Sequence, residues 1–182
     1  MIEIYNELNM LLPIALKILI ATICGALVGW ERETKNKFAG LRTNILICVG
    51  SAIFTIGSFY AADLYNLADP TRILSTIVTG MGFLGGGVIM RDHDKIIGIT
   101  TAAFIWVISG IGILCGMGLI ITPILMTIGL LLVSRLFEKV ERQIRKDFDD
   151  RNLQRIKHAI TNSIENTNRY YMWCLSWLGK RN

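Results

Sequence analysis

The sequence predicts an all-α, polytopic membrane protein with five transmembrane helices and a short cytosolic helical tail. Three observations carry this reading. The 39 residues from Ile96 to Ser134 include no charged side chain. Three further apolar runs precede them: Leu11 to Trp30, Asn44 to Ala62 and Ile73 to Met90. Over the whole chain, 52% of residues are hydrophobic and the mean hydropathy is +0.48, a composition outside that of soluble globular domains.

The first run is interrupted only by Pro13 and Lys17, the second carries no charge, and the third is free of charge and rich in glycine. A helix crosses the roughly 30 Å hydrocarbon layer in about 20 residues. The last run is therefore too long for one crossing and suits two, with a reversal at Gly116-Met117-Gly118. Lys and Arg test that reading. The first loop has Arg32, Lys35, Lys37 and Arg42, the second Arg72, the third Arg91 and Lys95, and the tail after Ser134 holds 11. Five crossings gather 17 of the 19 basic residues on one side, which the positive-inside rule makes cytoplasmic. The expected topology has the N-terminus outside and the C-terminus in the cytoplasm. Residues 1–135 would form the transmembrane domain and residues 136–182 the basic tail.

The net charge of +5 then reports topology and attraction to anionic head groups of the lipid bilayer, with no nucleic acid as partner. Glu3 and Glu7 stand where the basic region of a cleavable signal peptide would lie, which argues against one. Cys24, Cys48 and Cys115 fall within spans and Cys174 in the tail, a pattern of reduced packing residues.

At an offset of 58 residues the chain weakly repeats. Gly29, Lys37, Gly40 and Thr43 align with Gly87, Lys95, Gly98 and Thr101. Helices one and two would form a hairpin echoed by helices three and four, with helix five appended. Glycines mark candidate packing faces: Gly25 and Gly29, Gly82 and Gly86, and Gly112 and Gly116 are small-xxx-small pairs. Gly80-Met81-Gly82-Phe83-Leu84-Gly85 spells a dinucleotide-binding fingerprint. That reading needs a preceding strand and a later acidic residue, yet the motif lies in an apolar run with Ala102, Ala103 and Phe104 near the acid's position. Close packing accounts better for it, with local irregularity at Gly85, Gly86 and Gly87.

Polar residues gather at the cytoplasmic ends of the spans: Glu31 and Arg32 close helix one, Arg42 and Thr43 open helix two, Arg91 precedes the third loop, and Thr100 and Thr101 open helix four. They read as anchoring charges with side-chain N-caps, or as a polar cluster beneath the bundle with Glu31 and Arg42 as its ion pair.

The strings Gly29-Trp30-Glu31-Arg32-Glu33, Ala39-Gly40-Leu41-Arg42-Thr43, Gly80 to Ile89 and Gly98-Ile99-Thr100-Thr101-Ala102-Ala103 occur in the order and spacing of the MgtC/SapB family, and over roughly residues 15 to 135 the chain resembles that family. The resemblance implies a bacterial inner-membrane protein associated with adaptation to low magnesium and with survival inside macrophages. It implies a regulator of other membrane proteins, such as ATP synthase or sensor kinases. It also points to Glu31, Arg32, Gly40, Leu41, Arg42, Thr43, Gly80, Gly82, Phe83, Leu84, Gly85, Gly87, Arg91, Gly98, Thr100 and Thr101 as signature positions. Two departures stand out. Asp92-His93-Asp94 replaces a loop glycine, and the 47 residues after Arg135 are few for the ACT-like domain that many members carry.

The tail repeats Leu136, Val140, Ile144 and Phe148, then Leu153, Ile156, Ile160 and Ile164, the stripe of an amphipathic helix. Its end, with Tyr170, Tyr171, Trp173 and Trp177 between basic flanks, suits a membrane interface or a second subunit. Magnesium transport would need oxygen ligands along the path. The apolar runs hold no Asp or Glu, and Lys17 sits near the outer end, where its ammonium can snorkel outward. Asp63 and Asp69 offer at most a weak outer cation site. His93 and His158 lie on separate elements, and no nucleophile elbow, P-loop or zinc spacing occurs. The expectation is a non-enzymatic regulator without cofactor, assembling as a homodimer through glycine-lined faces. The alternatives are a magnesium-related transporter and a structural scaffold.

Overall fold

A computed structural model of the chain describes residues 2–65, 69–93, 95–140, 143, 151–155, 157 and 161. Five helices follow in order: α1 (Ile2–Thr34), α2 (Leu41–Leu64), α3 (Thr71–Gly87), α4 (Ile99–Gly116) and α5 (Ile121–Val140). Between α3 and α4 stands a small antiparallel hairpin, β1 (Met90–Asp92) and β2 (Lys95–Ile97), paired Met90 with Ile97, Arg91 with Ile96 and Asp92 with Lys95. Met1–Leu132 form one compact unit and Val133–Asn182 another. Of the second unit, the described residues are helical, with Leu136, Val140 and Leu153 exposed. Tyr170, Tyr171, Trp173 and Trp177 lie outside the described residues.

Among the described residues, four helices are long and apolar enough to cross a membrane: Met10–Thr34, Leu41–Leu64, Ile99–Gly116 and Ile121–Val140. The third apolar run corrects the expectation. It was to span Ile73 to Met90, but α3 ends at Gly87 after 17 residues, about 26 Å at 1.5 Å per residue. Gly85, Gly86 and Gly87 terminate the helix instead of distorting it in mid-span. Val88 N–H bonds back to the Gly85 carbonyl and Ile89 N–H to the Gly86 carbonyl, at 3.3 and 3.1 Å. Each glycine costs helix propensity of about 1 kcal/mol against alanine, so three in succession end it. The dinucleotide fingerprint thus lies inside a helix, with no strand before it.

The loop expected after α3 is the β-hairpin. His93 takes a left-handed turn conformation (φ 52°), and its ring Nδ1 lies 2.9 Å from Asp92 Oδ1. The reversal after α4 is present as expected. Gly118 adopts φ 90° and its N–H bonds to the Cys115 carbonyl at 3.0 Å, a glycine stop that satisfies carbonyls at a helix end.

α1, α2 and α4 make the core, with Ala21, Cys24, Val28, Cys48, Ala52, Ile108 and Cys115 at its centre. The three cysteines stand on three different helices, buried and free. Glycines set the closest approaches. A Cβ added to Gly25 would stand 2.8 Å from Ile45 Cα, and one on Gly29 2.7 Å from Leu41 Cα. On Gly116 it would stand 2.7 Å from the Ala52 carbonyl, and on Gly112 it would collide with the Cys48 carbonyl. These two pairs join α1 and α4 to α2 by backbone contact. The third pair behaves differently: Gly80, Gly82, Gly86 and Gly87 have nothing within 4 Å of such a Cβ, while Gly85 makes ordinary contact with Ala102 at 3.5 Å. Within this chain, the packing role expected of Gly80, Gly82, Gly86 and Gly87 is therefore not filled.

Polar contacts separate the bundle's two ends. At one end Lys17 lies beside Gly118 and the Ser58 hydroxyl donates to the Pro70 carbonyl at 2.6 Å. At the other, α1 meets the start of α2 and of α4. Between them Thr22, Thr55 and Thr127 bond the carbonyl four residues earlier in their own helices, satisfying their hydroxyls without a partner helix. Gly40 and Gly98, aligned in the proposed repeat, occupy the N-caps of α2 and α4, but with φ of −91° and 92°. The hairpins also differ in their first helices, 33 residues against 17.

Pro70 opens α3, and the Asp69 carboxylate accepts from the Thr71 hydroxyl at 2.5 Å and the Thr71 N–H at 2.9 Å. The Thr71 hydroxyl, then its N–H, hold the Asp69 carboxyl below its ordinary range. A depressed folded pKa contributes stability that is complete above the unfolded value of about 3.9 and lost as pH falls through the folded value. Hydrogen-exchange protection at Thr71 should hold down to about pH 4 and fall below it. Asp69→Ala should abolish that acid dependence.

Candidate functional site

The two arginines of the motif-bearing ends, Arg32 and Arg42, have opposite fates. α1 continues past the apolar run to Thr34, so Glu31 and Arg32 are carried into the bundle, 6% and 2% exposed. The expectation that no acid enters a span is thereby corrected: helix geometry, running on for another turn, buries what the hydropathy boundary left outside. Arg32 reaches across to α4. Its Nη2 donates to Thr101 Oγ1 at 2.8 Å, and its guanidinium carbon lies 4.3 Å from the centre of the Phe104 ring. Arg32 thus ties α1 to α4 by a charged hydrogen bond and a cation–π contact. Its Nε is buried with no hydrogen-bond partner among the described residues.

Glu31 pairs with Lys35 one turn on, not with Arg42. That expected ion pair is absent because Arg42, on the first turn of α2, points out of the bundle and is exposed. Thr43 is likewise exposed, as are Arg91 and Thr100, while Thr101 is 3% exposed. The predicted cluster therefore divides. Glu31, Arg32 and Thr101 come together inside. Arg42 and Thr43 line an open groove, and Arg91, donating to the His93 carbonyl at 3.2 Å, belongs to the hairpin.

The helix caps were also assigned to the wrong residues. The N-caps of α2 and α4 are Gly40 and Gly98, neither with a side-chain cap bond. Gly98 combines a left-handed φ with a position where a Cβ would strike the Val88 carbonyl, so the α4 start and the end of α3 fit only around glycine. At α2 the capping acceptor is remote in sequence: Glu33 Oε2 takes the Leu41 N–H at 2.9 Å. Gly40 leaves room for that carboxylate, which a Cβ would overlap. Asn44, wholly buried, donates its side-chain amide to the Ala39 and Gly40 carbonyls at 2.9 and 2.8 Å. What sequence reasoning missed is the roles of Glu33 and Asn44: the carboxylate, not an Asn or Thr oxygen, caps α2, and the Asn44 amide donates instead of accepting. Their signal was the string Ala39-Gly40-Leu41-Arg42-Thr43-Asn44, a buried amide four residues after a glycine cap. Gly40→Ala should displace Glu33 and cost about 1 kcal/mol, the worth of a lost cap. Glu33→Ala should cost about the same, and the double variant little more than either, read from thermal unfolding in detergent.

Around this cap runs a groove of about 550 Å³, lined by Trp30, Glu33, Thr34, Phe38, Gly40, Leu41, Arg42 and Thr43. Among the described residues, no group of three or more His, Cys, Asp or Glu is placed to hold a metal ion.

This arrangement lies in the part of the sequence that matches the MgtC family, residues 18–143. The chain belongs to the MgtC family. It is 39% identical over 141 residues to the protein MgtC of Salmonella typhimurium (strain LT2), covering 78% of this chain and 59% of that protein. To YhiD of Escherichia coli (strain K12), whose name labels it a candidate magnesium transporter, it is 44% identical over 128 residues, 68% of this chain and 59% of that one. An uncharacterized protein of Haemophilus influenzae is 39% identical over 137 residues, 71% and 58% of the two chains. The matches span just under three-fifths of these relatives' lengths. No solved structure matches the chain. For this MgtC-family chain, apolar helices and family membership together establish a membrane protein.

Proposed function

We propose that this MgtC-family protein is a non-enzymatic regulator in the bacterial inner membrane that modulates other membrane proteins when magnesium is scarce. The single observation carrying the reading is the division of its arginines: Arg32 buried as a tie between α1 and α4, Arg42 exposed on the rim of a groove. One stiffens the bundle and the other is left to meet a partner. The charges of the described spans stand toward their ends: Lys17 and Asp63 toward one, and Glu31, Arg32, Glu33, Arg42, Arg135, Glu138 and Lys139 toward the other ends of their helices. The hydroxyls of Thr22, Thr55 and Thr127 between them are turned to their own helices. A divalent ion crossing there would find few oxygen ligands to replace its water. The name of the relative from Escherichia coli supplies the link to magnesium.

The topology proposed has five crossings, with α3 as the short one at the lower limit of spanning length. Loop charge then puts the N-terminus outside and the C-terminus in the cytoplasm. A second copy docks on the open face of α3 at Gly80, Gly82, Gly86 and Gly87, where close helix approach costs no side-chain volume.

A magnesium-carrying role is the second reading, favoured by the buried carboxylate of Glu31 and by the name given to YhiD. One experiment separates the two. The purified protein in proteoliposomes should pass magnesium no faster than empty vesicles, while its expression restores growth of a deletion strain at low magnesium. Flux above empty vesicles that is lost in Glu31→Gln would overturn the regulatory reading.

A further inference from the structure

The groove at the end of the first hairpin, whose rim carries the Arg42 of the proposed regulatory surface, has a chemistry of its own. Its character comes from four side chains: Trp30, Glu33, Phe38 and Arg42. Trp30 and Phe38 are 66% and 59% exposed, at the level where one span ends and the next begins. Aromatic rings concentrate there because the lipid headgroup layer suits a surface partly apolar and partly polar. Arg42 is exposed with no ion pair among the described residues. Glu33 commits Oε2 to the Leu41 N–H, and its Oε1 has no partner among the described residues. The groove's volume of about 550 Å³ is that of a small-molecule site.

One fixed cation, one fixed anion and two aromatic faces make a lining with no net charge. A purely anionic headgroup would gain Arg42 and be opposed by Glu33. A phosphocholine would gain Arg42 but offer the carboxylate no N–H. We propose that this groove binds the phosphoethanolamine headgroup of a membrane lipid. Its phosphate takes the Arg42 guanidinium, its primary ammonium donates to Glu33 Oε1, and the rings of Trp30 and Phe38 flank the ammonium and the glycerol. Charged hydrogen bonds at both ends give orientation, and the aromatic walls add cation–π attraction. The site shares Arg42 with the proposed regulatory surface, and lipid retention by the purified chain, with no protein partner present, tests it separately from that reading.

The test uses the full chain, purified and exchanged into mixed micelles of equimolar dioleoyl phosphatidylethanolamine, phosphatidylcholine and phosphatidylglycerol, with bound lipid counted by native mass spectrometry. Phosphatidylethanolamine should be retained over each of the others by roughly tenfold, the scale of one charged hydrogen bond. Glu33→Gln keeps the cap acceptor and should erase the preference over phosphatidylcholine, while Arg42→Ala should lower retention of all three. A brominated phosphatidylethanolamine should quench a fluorescence component that is missing in Trp30→Phe, and brominated phosphatidylcholine should not. That second readout needs no charge variant to fold. Equal retention of the three lipids, a preference for phosphatidylglycerol, or a phosphatidylethanolamine preference that survives in the Glu33→Gln, Arg42→Ala double variant would each overturn the assignment.

Discussion

Gly29→Leu should destabilise the bundle by about 3 kcal/mol, at the upper end of overpacking costs, whereas Gly82→Leu should stay within about 0.5 kcal/mol of the native chain, as surface changes do. Both glycines lie in small-xxx-small pairs, and sequence gives no reason to separate them. The difference is what each faces. A side chain at Gly29 meets the Leu41 Cα and its carbonyl, with Leu41 O 2.9 Å from the first added carbon. Those are backbone atoms at the very start of α2, held by the Glu33 cap and by the buried Asn44 amide. They cannot step aside without breaking both. Gly82 faces open space within one protomer, so a leucine there disturbs no contact of the fold itself. Thermal unfolding of the purified variants in a mild detergent measures the contrast. An equal loss in Gly82→Leu would mean that the α3 face is covered in the working protein, as the proposed second copy would cover it; cross-linking from that face would then be expected.

The second large effect divides the arginines. Arg32→Ala removes a charged hydrogen bond to Thr101 and a cation–π contact with Phe104, and leaves a cavity between α1 and α4. Relief of the guanidinium's desolvation offsets part of this, and the net loss should be about 2 kcal/mol. Glu31 keeps Lys35 but loses the neighbouring positive charge of Arg32. Arg32→Lys should recover little, since a compact ammonium cannot reach Thr101 while stacking on Phe104 as the planar guanidinium does. Arg42→Ala should leave stability within about 0.5 kcal/mol, because its side chain is exposed and makes no ion pair among the described residues. In membranes, Arg32→Ala should therefore lower the amount of folded protein, while Arg42→Ala should keep the amount and lose function. Equal abundance of the two variants would contradict the burial of Arg32.

Much of the site was legible residue by residue and illegible as an arrangement. Glu31, Arg32, Arg42, Thr43, Thr100 and Thr101 were all identifiable from their type and their place at span ends. Which of them meet was not. Arg32 and Thr101 are 69 residues apart, and only the packing of α4 against α1 brings them to hydrogen-bond distance. Glu31 and Arg42 carry opposite charges on neighbouring helices, which made them the natural pair. The rotation of α2 about its axis turns Arg42 outward, and no local pattern reports that rotation. The cap of α2 follows the same logic. Thr43 and Asn44 have the side chains expected of N-caps, but the acceptor is Glu33, brought round by a turn that includes Asn36 at φ 52°. The third run ended early for a different reason. Hydropathy counts glycine as compatible with a span, while backbone entropy ends a helix at three in a row.

By itself the sequence determined that this chain lives in a membrane, which runs of it are helical, where the chain reverses at Gly116-Met117-Gly118, and the family it belongs to. The first three follow from composition and local backbone preference, which act through near neighbours, and the family from the order and spacing of four motifs. Tertiary structure alone decided which glycines are contacts and which are open surface, which arginine is a tie and which is free, and that a groove exists between Trp30, Phe38 and Arg42. Each depends on the rotation and depth of one helix against another. Side-chain volume and hydrogen bonds between residues distant in sequence set those two quantities, and hydrophobicity is blind to both.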